Sequence, residues 1–504
     1  MTAPAAAAAG SLRTGTARGR WVLAATIAGS SAAMLDATVV NVALARIGAE
    51  LDVGFAGLQW IANGYTLTLA SFILLGGVLG DRYGRRRVFV IGMIWFAVAS
   101  ALCALSVNEA MLITSRALQG VGGALLTPGS LAIISATFAA ADRGRAIGTW
   151  SGLGGIAAAA GPFLGGWLVT IDWRLVFLIN LPLALLVVPI AVRHVPETRQ
   201  AGSAPRLDLP GAAGMIVALS ALTYGLMRAG QFGWDAAAIG GCLLGALATI
   251  VFVVWELHTS DPLIPLGMFA HRVFAATNIV TLFLYAALSV YFFLLVIELQ
   301  VVSGWSPLAA GTSLLPATLL MLVLSSRSGA LAERTGPRPL MTLGSLLAAA
   351  AFALSLRIGP DADYLTDVLP AVVSLGLGLS LAVAPLTAAV LGSVSDDLAG
   401  AASGVNNAAA RTAGLLAVVA VPAVAGMSSA GPGDTVALQA GFGTAMIIGV
   451  GLCLLAAAVS WFGVGPFRSR DAGTSEVSGR LAVHRNTHCA VSGPPPHPNA
   501  RSSS

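Results

Sequence analysis

Lysine is absent from this 504-residue chain: all 27 basic residues are arginine. A P-loop needs a lysine on the phosphates, and none of the glycine-rich stretches reads GxxxxGK[ST]. Nucleotide hydrolysis is therefore excluded as the chain's own energy source, while the arginine bias itself is read as codon usage rather than chemistry. Charge of either sign is scarce. Charged residues make up 10% of the chain, against about 25% in a soluble domain, and a surface so poor in charge cannot face water. Strand-like alternation is missing too. A membrane barrel would show segments of about ten residues with alternating hydrophobicity, whereas Trp21–Met34, Ala236–Trp255 and Met341–Leu356 are unbroken apolar runs. The four cysteines (Cys103, Cys242, Cys453, Cys489) show no CxxC spacing and the histidines are scattered, so no metal site is legible. Nor do carboxylates, His or Cys cluster as a membrane-embedded enzyme would require.

What is abundant is apolar surface: 57% hydrophobic residues and a mean hydropathy of +0.85. In lipid the backbone must satisfy its own hydrogen bonds, so long apolar runs mean spanning helices. The chain reads as an all-α integral membrane protein. About 20 apolar residues cross about 30 Å of hydrocarbon, and that measure predicts fourteen spans. They fall near 21–44, 58–79, 88–106, 110–132, 146–170, 174–192, 209–227, 236–256, 273–298, 309–331, 339–357, 366–391, 402–424 and 438–462. With the N-terminus inside, external segments hold Arg46, Arg174, Arg228 and Arg357, and spans hold Arg116, Arg327 and Arg411; the remaining twenty arginines are cytoplasmic. That is the positive-inside bias. It also explains the net charge of +5 without a nucleic-acid partner, since the arginines sit in short loops between spans. Arg13, Arg18 and Arg20 before the first apolar run fit a signal peptide cleaved near Ser31–Ala33. The motif that begins at Leu35 follows at once, however, so the first span is read as an uncleaved anchor. The stretch from Phe467 is rich in Ser, Gly, Pro and Arg and is predicted to be disordered.

The chain repeats itself. Gly77-Val-Leu-Gly-Asp-Arg-Tyr-Gly-Arg-Arg-Arg87 returns as Gly329-Ala-Leu-Ala-Glu-Arg-Thr-Gly-Pro-Arg-Pro339 at a constant offset of 252 residues. Both copies fall at the cytoplasmic end of a span. Two related halves indicate a parallel-repeat transporter with its substrate path between them. Eight spans separate the copies rather than six, so two are extra, at 209–227 and 236–256. The expected organisation is a cytoplasmic segment 1–20, a six-helix bundle 21–206, two extra central helices 207–257, a second six-helix bundle 258–465 and a disordered cytoplasmic tail 466–504.

Further motifs follow in order: Leu35-Asp-Ala-Thr-Val-Val-Asn-Val-Ala-Leu44, Leu58-Gln-Trp-Ile-Ala-Asn-Gly-Tyr65, Arg116-Ala-Leu-Gln-Gly-Val-Gly-Gly123, Gly161-Pro-Phe-Leu-Gly-Gly166 and Trp173-Arg-Leu-Val-Phe-Leu-Ile-Asn-Leu-Pro182. Later come Asp261-Pro-Leu-Ile-Pro265, Leu299-Gln300 and Ala399-Gly-Ala-Ala-Ser-Gly-Val-Asn-Asn407. Taken together, from residue 35 to about 425, they resemble the major facilitator superfamily, and within it the fourteen-span drug:proton antiporters of the EmrB/QacA type. Ala45 stands where relatives usually have Pro, and Ala157 where the fifth-span motif usually has Gly. The resemblance implies alternating access and export of small hydrophobic or amphipathic compounds such as antibiotics. No cofactor is implied, the proton gradient being the energy source. The partners implied are a small-molecule substrate, protons and the lipid bilayer, with an envelope-bridging partner left open. The location implied is the cell membrane, with both termini cytoplasmic.

Residue roles can then be set out. Gly80 and Gly84 permit a tight turn, and with Gly77, Asp81, Arg82, Arg85 and Arg86 they resemble a gating latch between halves, repeated as Glu333, Arg334, Gly336 and Arg338. The competing reading is that these arginines only fix topology. Gly152, Gly161, Pro162, Gly165 and Gly166 place small residues along the fifth span for close helix packing and resemble the antiporter signature, which points to export. Polar groups in spans are cavity candidates: Asn41, Gln119, Glu298, Gln300, Asn406, Asn407 and Arg411. The amides serve equally well as helix–helix bonds; Glu298 is read first as a solvated carboxylate at the interface, with selection of cationic substrates as the other reading. Asp36 lies about 22 Å into the first span and Arg116 about 8 Å from the other side of the fourth, at 1.5 Å per residue. Those depths match across about 30 Å, so the two are the proposed proton-coupling pair, with a static ion pair as the alternative.

A proton-coupled carrier of a specific metabolite has the same fold signature. A membrane-embedded enzyme or sensor is disfavoured by the missing catalytic cluster and output domain. Topology is directly testable. Reporter fusions should place Arg206 and the segment after Phe467 on one side of the membrane and Gly230–Trp234 on the other. A cytoplasmic signal from Gly230–Trp234 would remove the extra pair.

Overall fold

The computed structural model describes residues 12–199, 208–259, 262–394, 398–428, 431 and 434–465. Arg206, Asp261 and the expected tail 466–504 lie outside the described residues, as do residues 1–11. Among the described residues the protein is helical, the one β contact being an isolated bridge between Leu12 and Phe138.

The helices are α1 (Ala17–Leu51), α2 (Phe55–Tyr83), α3 (Arg85–Ala104), α4 (Glu109–Thr137), α5 (Ala140–Ile171), α6 (Leu175–Leu178) and α7 (Asn180–His194). Two more follow, α8 (Leu209–Phe232) and α9 (Ala236–His258). The rest are α10 (Arg272–Ile297), α11 (Pro307–Thr312), α12 (Leu315–Thr335), α13 (Pro337–Ser355), α14 (Leu369–Gly392), α15 (Ala399–Val424) and α16 (Thr435–Gly463). Thirteen helical segments among the described residues are long and apolar enough to cross a membrane, with α6–α7 and α11–α12 each counting as one. Beside them, α5 carries the apolar stretch Ala160–Ile171, which is consistent with fourteen crossings. The first helix starts earlier than its apolar run: Thr16 caps it by accepting from the Gly19 amide, so residues 17–20 belong to the helix rather than to a separate segment.

Two bundles show the same pattern of neighbours. In the first, α1 packs on α4, α5 and α7, and α4 on α2 and α3; in the second, α10 packs on α14, α15 and α16, and α14 on α12 and α13. The parallel repeat is thus visible in packing as well as in sequence. The glycine turns repeat too. Gly84 and Gly336 both take positive φ, +112° and +83°, where a Cβ is strained. Each ends one span and starts the next, and a Cβ on Gly84 would also press on the Glu197 carboxylate.

The extra helices form a hairpin closed by Asp235, which caps α9 at the Ala238 amide and pairs with Arg228 at 2.6 Å. That hydrogen bond from Arg228 holds the Asp235 carboxyl below the usual carboxylate range. Of this pair only α8 faces the bundles: Leu219 joins Ala70 of α2 and Leu415 of α15 in one apolar cluster. Helix α9 turns Leu243, Leu244, Leu247, Ile250 and Val251 outward, as a lipid-facing helix does.

The bundles meet at the end opposite the Gly84 and Gly336 turns. Gln59 donates to the Val418 carbonyl at 2.7 Å and accepts from Ser428, and Gln300 donates to the Val42 carbonyl at 3.0 Å. Gly166 of α5 abuts the backbone of Pro307 and Leu308. At the turn end, Asp81 pairs with Arg85 at 2.7 Å, and Arg86 and Arg87 pair with Glu197, all within the first half. In the second copy Glu333 and Arg334 are exposed, and Arg338 stacks on Trp461 at 4.1 Å.

Placing a side chain at a positive-φ position costs about 1–3 kcal/mol. Gly84→Ala and Gly336→Ala should each lower the melting temperature of the purified protein. Gly329→Ala, in open space within a helix, should not. Equal melting of all three would mean the turns carry no strain.

Candidate functional site

Helices α1, α3, α4 and α7 each send one or two polar side chains to a single point inside the first bundle. Asp36 comes from α1 and is 1% exposed; Arg116 comes from α4 and is 2% exposed. Their ion pair is 2.5 Å long. The other carboxylate oxygen of Asp36 accepts from Gln119 Nε2 at 2.7 Å and Asn180 Nδ2 at 3.3 Å. Gln119 also accepts from Arg116 at 2.6 Å and donates to Ser100 Oγ at 2.8 Å, and Asn180 donates to the same hydroxyl at 3.2 Å. Arg116 Nε donates to the Ile61 carbonyl on α2, and its guanidinium lies 4.5 Å from the centre of the Tyr65 ring.

The physical logic is compensation. Ionised Asp36 can only accept, and it receives three donors here. A buried charge survives in a low-dielectric bundle only when paired and hydrogen-bonded, and both ions meet that condition. Small residues let the helices come this close. A Cβ on Gly161 would collide with Thr38 of α1, and one on Gly165 would press on Val39. Pro162 offers its carbonyl side to Gly311 of α11, and Gly152 lies in the first half of α5.

The remaining sequence candidates scatter. Gln119 belongs to the ion-pair network rather than to an open cavity, with no exposed surface. Gln300 is spent on the Val42 carbonyl, tying the halves together. Asn406 bonds Thr281 at 2.7 Å and Asn278 at 3.2 Å, a helix–helix bond between α15 and α10, and Asn407 bonds the Ser403 carbonyl of its own helix. Asn41 is half-buried on α1. Glu298 is 1% exposed and sits in a π-helical turn, Glu298–Val302, that continues α10. It is therefore not a solvated carboxylate. Arg411 is partly accessible in the middle of α15.

Ser100, Asn180, Tyr65 and Glu197 carried no assigned role in the sequence. A signal for Asn180 existed: it is the one amide in the apolar stretch 175–188. Ser100 had none, because a serine in a membrane helix usually bonds its own backbone.

A family model described as Major Facilitator Superfamily matches residues 26–418. The puromycin resistance protein of Streptomyces alboniger is 36% identical over 456 residues, covering 88% of this chain and 90% of its own. The tetracenomycin C resistance and export protein of Streptomyces glaucescens is 34% identical over 407 residues, covering 79% and 75%. Among solved structures, a D-xylose–proton symporter superposes with a TM-score of 0.61 at 17% identity, covering 88% of this chain and 97% of that one.

Removing one partner from a buried ion pair costs about 3–5 kcal/mol, because the other charge is left uncompensated. Arg116→Leu should lower the melting temperature sharply, and adding Asp36→Asn to it should recover part of the loss. If the double variant melted no higher than Arg116→Leu alone, the pair would not be what holds these helices.

Proposed function

The chain belongs to the major facilitator superfamily, and on that premise we propose that it is a proton-driven exporter of small hydrophobic or amphipathic compounds, of the fourteen-span antiporter type. Relatives named for resistance to puromycin, tetracenomycin C and methylenomycin A support the export direction. The observation that carries the coupling is the buried Asp36–Arg116 pair, a titratable carboxylate held away from water in the first bundle.

Such a carboxylate is poised between two environments. Beside the guanidinium it is held as a partner in an ion pair; separated from it inside the bundle, it would need other partners. A rocking motion that shifts α1 against α4 then takes up a proton on one side and releases it on the other. Protonated Asp36 needs an acceptor, and Asn180 supplies one: its Oδ1 is buried without a partner, and rotating the amide about χ2 presents that oxygen to Asp36. The arginine-rich turns face the cytoplasm in this reading, with both termini inside. The structure then represents the state pinned on the outer side, its latch residues paired only within the first half.

The test is a sensitive strain expressing the chain, challenged with a panel that includes puromycin and tetracenomycin C, with and without a protonophore. Efflux should require the gradient. Asp36→Asn keeps a carbonyl oxygen that can accept from the Arg116 guanidinium, so enough of the variant should reach the membrane to bind substrate, yet gradient-driven efflux should be lost. Undiminished efflux by that variant would remove the coupling role, and its failure to accumulate in the membrane would assign the pair a structural one.

A further inference from the structure

Among the described residues, the Arg411 guanidinium makes no hydrogen bond and no ion pair, although the residue lies ten positions, about 15 Å, into the α15 span. A charge at that depth is costly, and such residues mark a substrate or ion path. Arg116 shows what a satisfied cation in this bundle looks like, with a carboxylate, an amide and a carbonyl on its donors. Arg411 has none of these.

Its direction follows from its neighbours on the helix. Gly404 abuts Leu74 of α2, and Gly414 abuts Ser289 of α10. Arg411 is seven residues beyond Gly404, within about 20° of it around the helix, and less than one turn before Gly414. It therefore points into the seam where α2 of the first bundle and α10 of the second approach α15. Tyr65 on α2 and Tyr285 on α10, one turn before Ser289, are both within its electrostatic range. Tyr285 keeps some accessible surface. Among the described residues no carboxylate pairs with Arg411. Asp36 is committed to Arg116, and Glu298 lies 13 residues beyond Tyr285, about 20 Å farther along α10.

We propose that Arg411 holds the negatively charged group of the exported compound, so that the preferred substrates are aromatic or amphipathic anions bearing a carboxylate, phenolate or sulfonate. The guanidinium fork suits such oxygens, and the apolar seam around Tyr285 and Leu74 takes the body of the molecule. Bound substrate supplies the counter-charge that the protein omits. This deepens the export reading and rests on it for direction, but binding can be measured without transport.

The purified wild-type chain in lipid nanodiscs is titrated with pyrenebutyrate and with the matched pyrenebutyl-trimethylammonium cation, empty discs being subtracted. The wild type should bind the anion at least about tenfold more tightly than the cation, as a charge-assisted hydrogen bond allows. Arg411→Gln should lose that preference and Arg411→Lys should keep most of it. An absent preference in the wild type, which needs no variant to fold, would overturn the proposal. So would a preference that survives Arg411→Gln. Arg411-dependent anion binding without gradient-driven export would sustain this inference and overturn the export reading alone.

Discussion

The architecture of the first bundle depends on keeping one carboxylate and one guanidinium ionised inside a medium that penalises both. Neither Asp36 nor Arg116 could stay in place alone, and together they still leave acceptor and donor capacity to be filled. Gln119, Asn180 and the Ile61 carbonyl fill it. The bundle thereby gains five helices tied at one point. Hydrophobic burial gives little selectivity between helix arrangements in lipid, where tails are as apolar as leucine. Directional bonds to a buried charge do discriminate, and this network supplies them.

The second bundle repeats the packing without repeating the charge. Tyr291 on α10 and Ser355 on α13 share a 3.0 Å hydrogen bond. They are 64 residues apart, the same separation as Asp36 and Ser100 on the corresponding helices α1 and α3. Where the first half has an ionisable group meeting a serine network, the second has a phenol against Phe352. Its polar investment lies elsewhere, in Asn406 bonded to Asn278 and Thr281 and in the free guanidinium of Arg411. The halves share a fold while placing their polar groups differently, which on the proposals above would divide titration from ligand contact.

Much of the fold was legible because lipid imposes length, polarity and charge bias along a line, and those quantities are properties of sequence alone. The Asp36–Arg116 meeting was legible for the same reason: depth is one coordinate, and two depths can be compared. Azimuth is another matter. Whether Gln119 faces Asp36 or an open cavity depends on the rotation of α4 about its axis, which periodicity hardly constrains in helices apolar on nearly every side. Hence Gln300 and Asn406 were candidates for the cavity yet serve as ties between helices. Asn180 and Ser100, on α7 and α3, were missed although they complete the site. Glu197, which gathers Arg86 and Arg87, was hidden in a loop whose path no periodicity describes.

One residue links the two tasks. Tyr65 carries the Arg116 guanidinium on its ring and lies within the field of Arg411 from the other bundle. Helix α2, which holds Tyr65, also offers Ile61 to Arg116 and packs on α15 and α8. Any change in the spacing of α2 and α15 therefore acts on both guanidinium sites at once, without a chain of contacts between them. Allosteric coupling requires two sites that bias one bistable element. On the proposed mechanism that element would be the seam itself, bonded at the end where Gln59 meets Val418 and free of described inter-bundle bonds at the end of the glycine turns. If the two proposals hold, anion binding at Arg411 and proton binding at Asp36 would compete without touching, each favouring a different width of the same seam.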